Sequence, residues 1–309
     1  MSVVSISVPD FISNTQFPLL AAKELGCFDE EGVQVDVQLR NGIRAIEALH
    51  DGSVEFCVSG ADQPLALFPE WRGMRLLAAV AQGTPFLLVV RSDLGAQRND
   101  LRALRGCRIG AAPEPARVLN HLLRQAGIDA AAQGVQIVPV PGTAEAGAST
   151  GVSAARALAE GQLDGFWANA LGAQVAVYWG IGDVILDARR GDGPPGAGNY
   201  TFTALATTDA QIQRNPRTVE AVIRAVVRAQ AALRAEPARA RDVGGRLFPT
   251  LEAMLIDQVV ERDVVFYNSS ITQEAIDQLN QFAQSVGLLL GPVPYDDVVA
   301  TVFRDVWST

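Results

Sequence analysis

Asp10, Asp62, Glu114, Arg117, Trp167 and Asn169 are the side chains of this chain best suited to chemistry on a small molecule. Each lies just beyond, or ends, a short apolar run. Asp10 and Asp62 can accept N–H groups from a ligand or cap the helix that follows, capping being the commoner use of aspartate there. Arg117 can clamp a carboxylate through two parallel N–H···O bonds or point into solvent. It falls in the first turn of a helix, where the positive end of the dipole disfavours a cation. Glu114 precedes it in the same loop. Trp167 reads as a stacking face for a flat ligand or as a packed core aromatic. Asn169 reads as a ligand contact or a helix cap. Ser13, Asn14 and Thr15 add hydroxyl and amide groups after the first strand, and Asn41, Gly60 and Thr84 stand in comparable loops.

No pattern for covalent or metal chemistry accompanies these residues. No Ser/His/Asp set has a recognisable spacing, and no glycine-rich phosphate motif follows a strand. Cys27, Cys57 and Cys107 are too scattered for a zinc or iron–sulfur site. Their odd number excludes a fully paired set, and their apolar neighbours mark them as buried small hydrophobes. His50 reads as a surface residue at a helix end. His121, one turn past Arg117, would need to reach a substrate to act as acid or base. Arg40 and Arg44 read as solvent-facing. No cofactor or metal is expected.

The 309 residues suit one large domain or two ordinary ones. With 49% hydrophobic and 19% charged residues, a substantial core is expected and disorder is not. The net charge of −9 argues against binding nucleic acid through its phosphates. No apolar run is long enough to span a membrane. Met1-Ser2 leads straight into Val3–Val8 without a signal peptide. The chain is therefore expected to be cytoplasmic, or periplasmic or in the cell envelope if an export segment was removed.

The elements that must position the candidates are duplicated. Ile6-Ser-Val-Pro-Asp10, a helix ending at Gly26 and Gly32-Val-Gln-Val35 are echoed by Ile109-Gly-Ala-Ala-Pro113, a helix ending at Gly127 and Gly134-Val-Gln-Ile137. Ala48-Leu-His-Asp-Gly52-Ser-Val-Glu55 is echoed by Ala157-Leu-Ala-Glu-Gly161-Gln-Leu-Asp164. The period is too long for a solenoid. Short strands alternating with helices predict two α/β lobes with mainly parallel sheets. In such sheets ligands bind beyond the carboxyl ends of the strands, where helix N-termini can hold an anion. The spacing also predicts a helix over 116–126 after a loop at 113–117. A long helix is expected from Asn215-Pro216, with helices near 251–264, 272–286 and 295–306. The last would bury Tyr295, Val298, Val299, Val302, Phe303 and Val306. The Gly/Pro run at 191–198 reads as a flexible connection.

Taken in order, several phrases resemble the ABC-transporter solute-binding proteins of the nitrate/sulfonate/taurine type, a superfamily that includes the thiamine-pyrimidine precursor binders. They are Leu25-Gly-Cys-Phe-Asp-Glu-Glu-Gly32-Val-Gln-Val-Asp36, Ala45–Phe56 with Ser59-Gly60-Ala-Asp62, Asp100–Gly110, Ala157–Trp167 and Asn215-Pro216. The resemblance implies a two-lobe type II periplasmic-binding-protein fold with a C-terminal helical segment. Lobe I would be 1–88 plus 203–309 and lobe II 89–202, with hinges near 87–92 and 200–204. It also implies capture of a small organic ligand, aromatic or heteroaromatic and possibly anionic, by hinge closure, and delivery to an ABC permease if the chain is exported. The second-lobe loop departs from the family's small hydroxyl residues: Pro113-Glu114-Pro115-Ala116-Arg117 offers an acid and an arginine. Enzymes also occur on this fold, so a decarboxylase or a C–S or C–C lyase of an aromatic acid is the alternative. One enzyme of this fold, an aryl-sulfinate desulfinase, uses a nucleophilic cysteine in the first-lobe loop; the resemblance matches that stretch to Phe11-Ile-Ser13-Asn14, which holds no cysteine.

Overall fold

A computed structural model describes residues 3–143 and 148–308. The loop expected at 141–151 lies partly outside the described residues, as does Met1-Ser2. The chain divides into two compact units. The first comprises Met1–Phe11, Thr15–Gly83 and Thr201–Thr309, and the second Ile12–Asn14 and Thr84–Tyr200.

The first unit opens with β1 (Val3–Val8), α1 (Phe17–Glu24), α2 (Cys27–Glu30), β2 (Gln34–Leu39), α3 (Arg44–His50), β3 (Phe56–Gly60) and β4 (Met74–Ala81). The second runs β5 (Phe86–Arg91), β6 (Arg108–Gly110), α4 (Pro113–Gln125), β7 (Gln136–Val138), α5 (Thr150–Ala159), β8 (Gly165–Asn169), α6 (Ala170–Tyr178) and β9 (Gly182–Asp187). The chain then returns to the first with β10 (Thr203–Thr208), α7 (Asp209–Arg214), α8 (Pro216–Ala235), α9 (Arg239–Leu247), α10 (Thr250–Asp263), α11 (Gln273–Ser285) and α12 (Tyr295–Val298). Among the described residues no helix is long and apolar enough to cross a membrane.

The two sheets have one plan, which is mixed. Strand order is β2-β1-β3-β10-β4 in the first unit and β7-β6-β8-β5-β9 in the second. In each, one strand runs against its neighbours: β10 is antiparallel to β3 and β4, and β5 to β8 and β9. Each reversed strand is the first strand after the chain enters that unit. Its N-terminal end therefore lies at the carboxyl ends of the strands beside it, Thr203 pairing with Gly60 and Phe86 with Asn169.

The repeated acid has a structural role in both units. Glu55 Oε2 accepts the backbone N–H of Ser5 at 2.8 Å, and Asp164 Oδ2 accepts that of Arg108 at 2.8 Å. Gly52 and Gly161 take φ of 78° and 69° just after α3 and α5, the left-handed turn that ends a helix. The pattern thus encodes a helix stop and a carboxylate that secures a backbone amide of the neighbouring strand. A bond to a charged acceptor contributes about 1.5–3 kcal/mol. Glu55→Ala should lower the unfolding free energy in urea by about that much; an unchanged midpoint would remove the acid from the account.

Elsewhere local chemistry overrides three expectations. The helix after β6 starts at Pro113, so Glu114 and Arg117 lie inside α4. Pro113 and Pro115 are tolerated because first-turn N–H groups have no helical partner anyway. The expected helix at 295–306 stops after α12, because Val299 bridges to Leu76 and Ala300 N–H bonds the Leu76 carbonyl. A 3-10 segment, Thr301–Ser308, follows and leaves Val302 76% exposed. The Gly/Pro loop is tied down. Asp192 accepts Arg98 Nε, Asn99 Nδ2 and the Asp187 N–H, while Asn99 Oδ1 accepts the Gly193 N–H. The stripe Val219, Val222, Ile223, Val226 and Val227 is buried on α8 as its spacing predicts.

Candidate functional site

One group of candidates follows β1 and β3, with Asp10, Thr15, Gly60 and Asp62 in the first unit and Ser13 and Asn14 in the second. Asp10, Ser13, Asn14 and Thr15 are all buried, and Thr15 Oγ1 donates to Gln16 Oε1 at 2.9 Å. None of them caps α1, whose cap residue is Gln16 without a side-chain bond. Pro18 fills the first turn instead. Asn41 is half-buried, and Arg40 and Arg44 are exposed, as the solvent reading expects.

Asp62 is 2% exposed, and its carboxylate does not cap the 3-10 turn that follows. Its Oδ1 accepts the Thr201 hydroxyl at 2.6 Å. Gly60 makes room for this: a Cβ there would lie 3.1 Å from the same oxygen. The corner is held from a second side by Trp71, whose indole donates to the Ala61 carbonyl at 3.3 Å. Trp71 is fully buried, and it and Glu70 take left-handed φ of 54° and 58°. Each such non-glycine residue costs about 1–2 kcal/mol, so packing must hold the turn.

In the second unit three helices begin at the carboxyl ends of parallel strands: α4 after β6, α5 after β7 and α6 after β8. The starts of α5 and α6 touch through glycines. A Cβ on Gly172 would come within 2.5 Å of the Gly151 Cα and carbonyl oxygen. Asn169 caps α6, its Oδ1 accepting the Gly172 N–H at 3.0 Å. No side-chain cap hydrogen bond occupies the first turns of α4 or α5, and such N–H groups attract anions. Ser149, before α5, donates to the Ile12 carbonyl at 3.1 Å.

Trp167 is fully buried, its ring tilted against Phe86 with centroids 5.8 Å apart. An open stacking face is not what its burial offers. Its indole Nε1–H is buried and has no hydrogen-bond partner among the described residues. Arg117 and Glu114 are half-buried. The Arg117 guanidinium makes no ion pair or hydrogen bond to a described residue. Thr84 is engaged within its unit, donating to the Ala197 carbonyl at 2.8 Å and accepting the Tyr200 N–H at 3.1 Å.

Thr201 and Phe86 were not singled out by sequence. Candidate positions in the sequence lie at the ends of forward strands, whereas these residues precede or begin the reversed ones. Strand direction is the missing signal, because a reversed strand brings its first residues to the forward strands' carboxyl ends.

Burial dominates the titration of the thiols and of the His121 imidazole. Burial pushes Cys57 up to about 12 and also raises Cys27 and Cys107, so all three stay thiols at neutral pH. His121 packs edge-on against Tyr200, with centroids 4.7 Å apart. Burial, helped by Arg124, holds its imidazole below the usual 6.5. The folded state prefers neutral His121. Its contribution to stability is therefore complete above the unfolded value and is lost as pH falls through the folded one. His121→Phe should flatten the fall in unfolding free energy as pH drops below about 6.5; an unchanged slope would place the acid sensitivity elsewhere.

Known proteins share this architecture. The alkanesulfonate-binding protein SsuA of Xanthomonas axonopodis pv. citri, seen with MOPS, superposes with a TM-score of 0.71 at 16% identity, over 96% of this chain and 98% of its own. The periplasmic nitrate-binding protein NrtA of Synechocystis PCC 6803 gives 0.69 at 14% identity, over 100% and 88%. The desulfurization enzyme DSZB gives 0.66 at 18% identity, over 98% of each chain. At these identities the likeness establishes the fold, which periplasmic binding proteins and an enzyme share. No curated protein matches the chain. The profile of the family described as NMT1/THI5 like matches residues 14–240, most of the length, and the chain belongs to that family.

Proposed function

We propose that the chain is the solute-binding component of an ABC-type import system, and that its solute is a small aromatic acid bearing an N–H donor. The class of protein follows from the family and from the binding proteins that share its fold. The observation that carries the ligand chemistry is two donors of the second unit for which no described residue is a partner: the buried indole N–H of Trp167 and the guanidinium of half-buried Arg117. A buried donor left unmet costs about 1–3 kcal/mol, which a ligand oxygen recovers. Arg117 takes the acid's charge, and Phe86, half-exposed beside Trp167, offers apolar contact to a ring. Asp62, whose Oδ1 is held by the Thr201 hydroxyl, is the candidate acceptor for a solute N–H. Asp10, Ser13, Asn14, Thr15, Asn41 and Gly60 are secondary candidates for ligand contact. Delivery to a membrane permease follows export of the chain.

Thermal unfolding with added compounds tests this reading. Sulfanilate and 4-aminobenzoate should raise the melting temperature, since a ligand at 100 times its Kd adds about 2.7 kcal/mol. Aniline, which keeps the ring and amine but not the acid, should not. Equal stabilisation by aniline would contradict it.

A further inference from the structure

We infer that Thr201 is a positioning residue for the ligand contact of Asp62, an inference that rests on the function proposed above for that carboxylate. Thr201 is buried and stands two residues before β10. Its hydroxyl donates to Asp62 Oδ1 at 2.6 Å. The same corner is held by Ala61, whose N–H bonds the Phe202 carbonyl at 2.8 Å, and by the Trp71 indole on the Ala61 carbonyl. Three bonds from two directions thus hold Ala61 and Asp62. Of these three bonds, the one from Thr201 is made to the carboxylate itself.

An ionised aspartate has two oxygens and a soft terminal torsion. With one oxygen fastened by a short hydroxyl bond, the plane of the carboxylate is set before a ligand arrives, and less ordering remains to be done on binding. The strained turn at Glu70 and Trp71 belongs to the same device. Left-handed non-glycine residues persist where the surroundings over-determine them, and here the turn delivers an indole donor to the corner. Gly60 completes it by leaving room for the oxygen that Thr201 holds.

The test uses Thr201→Val, which keeps the shape and removes the donor, Thr201→Ser, which restores it, and Asp62→Asn. Amide hydrogen exchange over residues 58–66 reads the position of the corner without any ligand. Sulfanilate titration reads its effect on binding. Thr201→Val should speed exchange over 58–66 and weaken sulfanilate about tenfold, the scale of a hydrogen bond to a charged group, and Thr201→Ser should restore both. Unchanged exchange in Thr201→Val overturns the inference, as does faster exchange with full sulfanilate affinity where Asp62→Asn loses affinity. Faster exchange that Thr201→Ser reverses, with sulfanilate affinity unaltered in both Thr201→Val and Asp62→Asn, supports the positioning role and removes Asp62 from the proposed ligand contacts instead.

Discussion

Gly172→Ala is expected to destabilise the second unit by about 3 kcal/mol, the upper part of the usual overpacking range. The added methyl would meet the Gly151 backbone, which has no side chain to rotate away. The starts of α5 and α6 must then separate, and the Asn169 cap on Gly172 is disturbed with them. Gly180 is the control. It follows α6 with φ of 69° and open space around its Cβ direction. Alanine there meets only backbone strain, about 1–2 kcal/mol. Urea denaturation of the two variants checks the contrast. Equal losses would mean that the glycine contact is not close-packed.

Loss of the two donors should have the larger functional effect. Arg117→Met keeps much of the side-chain length and removes the charge. Trp167→Phe keeps an aromatic and removes the indole N–H. A hydrogen bond to a charged group contributes about 1.5–3 kcal/mol, so each variant should weaken sulfanilate roughly 10- to 100-fold. The unliganded Phe variant gains by losing a buried donor that no described residue satisfies, which offsets part of the volume it gives up. A Trp167→Phe protein that binds sulfanilate normally would return Trp167 to a plain core role.

Much of the architecture is legible in the residues. The duplicated Ala-Leu-x-acid-Gly pattern marks two like units, and the structure explains it through Glu55 and Asp164 on neighbouring strand amides. The stripe of α8 is equally plain, because one face of a long helix must be apolar to pack. Asn169 shows its cap in its type and place. The direction of β5 and β10 is not legible, since an apolar strand reads alike in either sense. With it went Thr201 and Phe86. Trp167 is legible as an aromatic at a strand end, but not as a donor, because burial of one ring edge depends on neighbours distant in sequence. The C-terminal segment shows the same limit. Its spacing suits a helix, yet pairing of Val299 with Leu76 of β4 decides the outcome.

The most direct test of the central claim is titration calorimetry of the wild-type protein and Arg117→Met with sulfanilate and with aniline. Sulfanilate should bind the wild type one-to-one, aniline should give no heat, and Arg117→Met should lose at least about tenfold in affinity. Binding of aniline as tight as sulfanilate, or sulfanilate binding indifferent to Arg117, would contradict it.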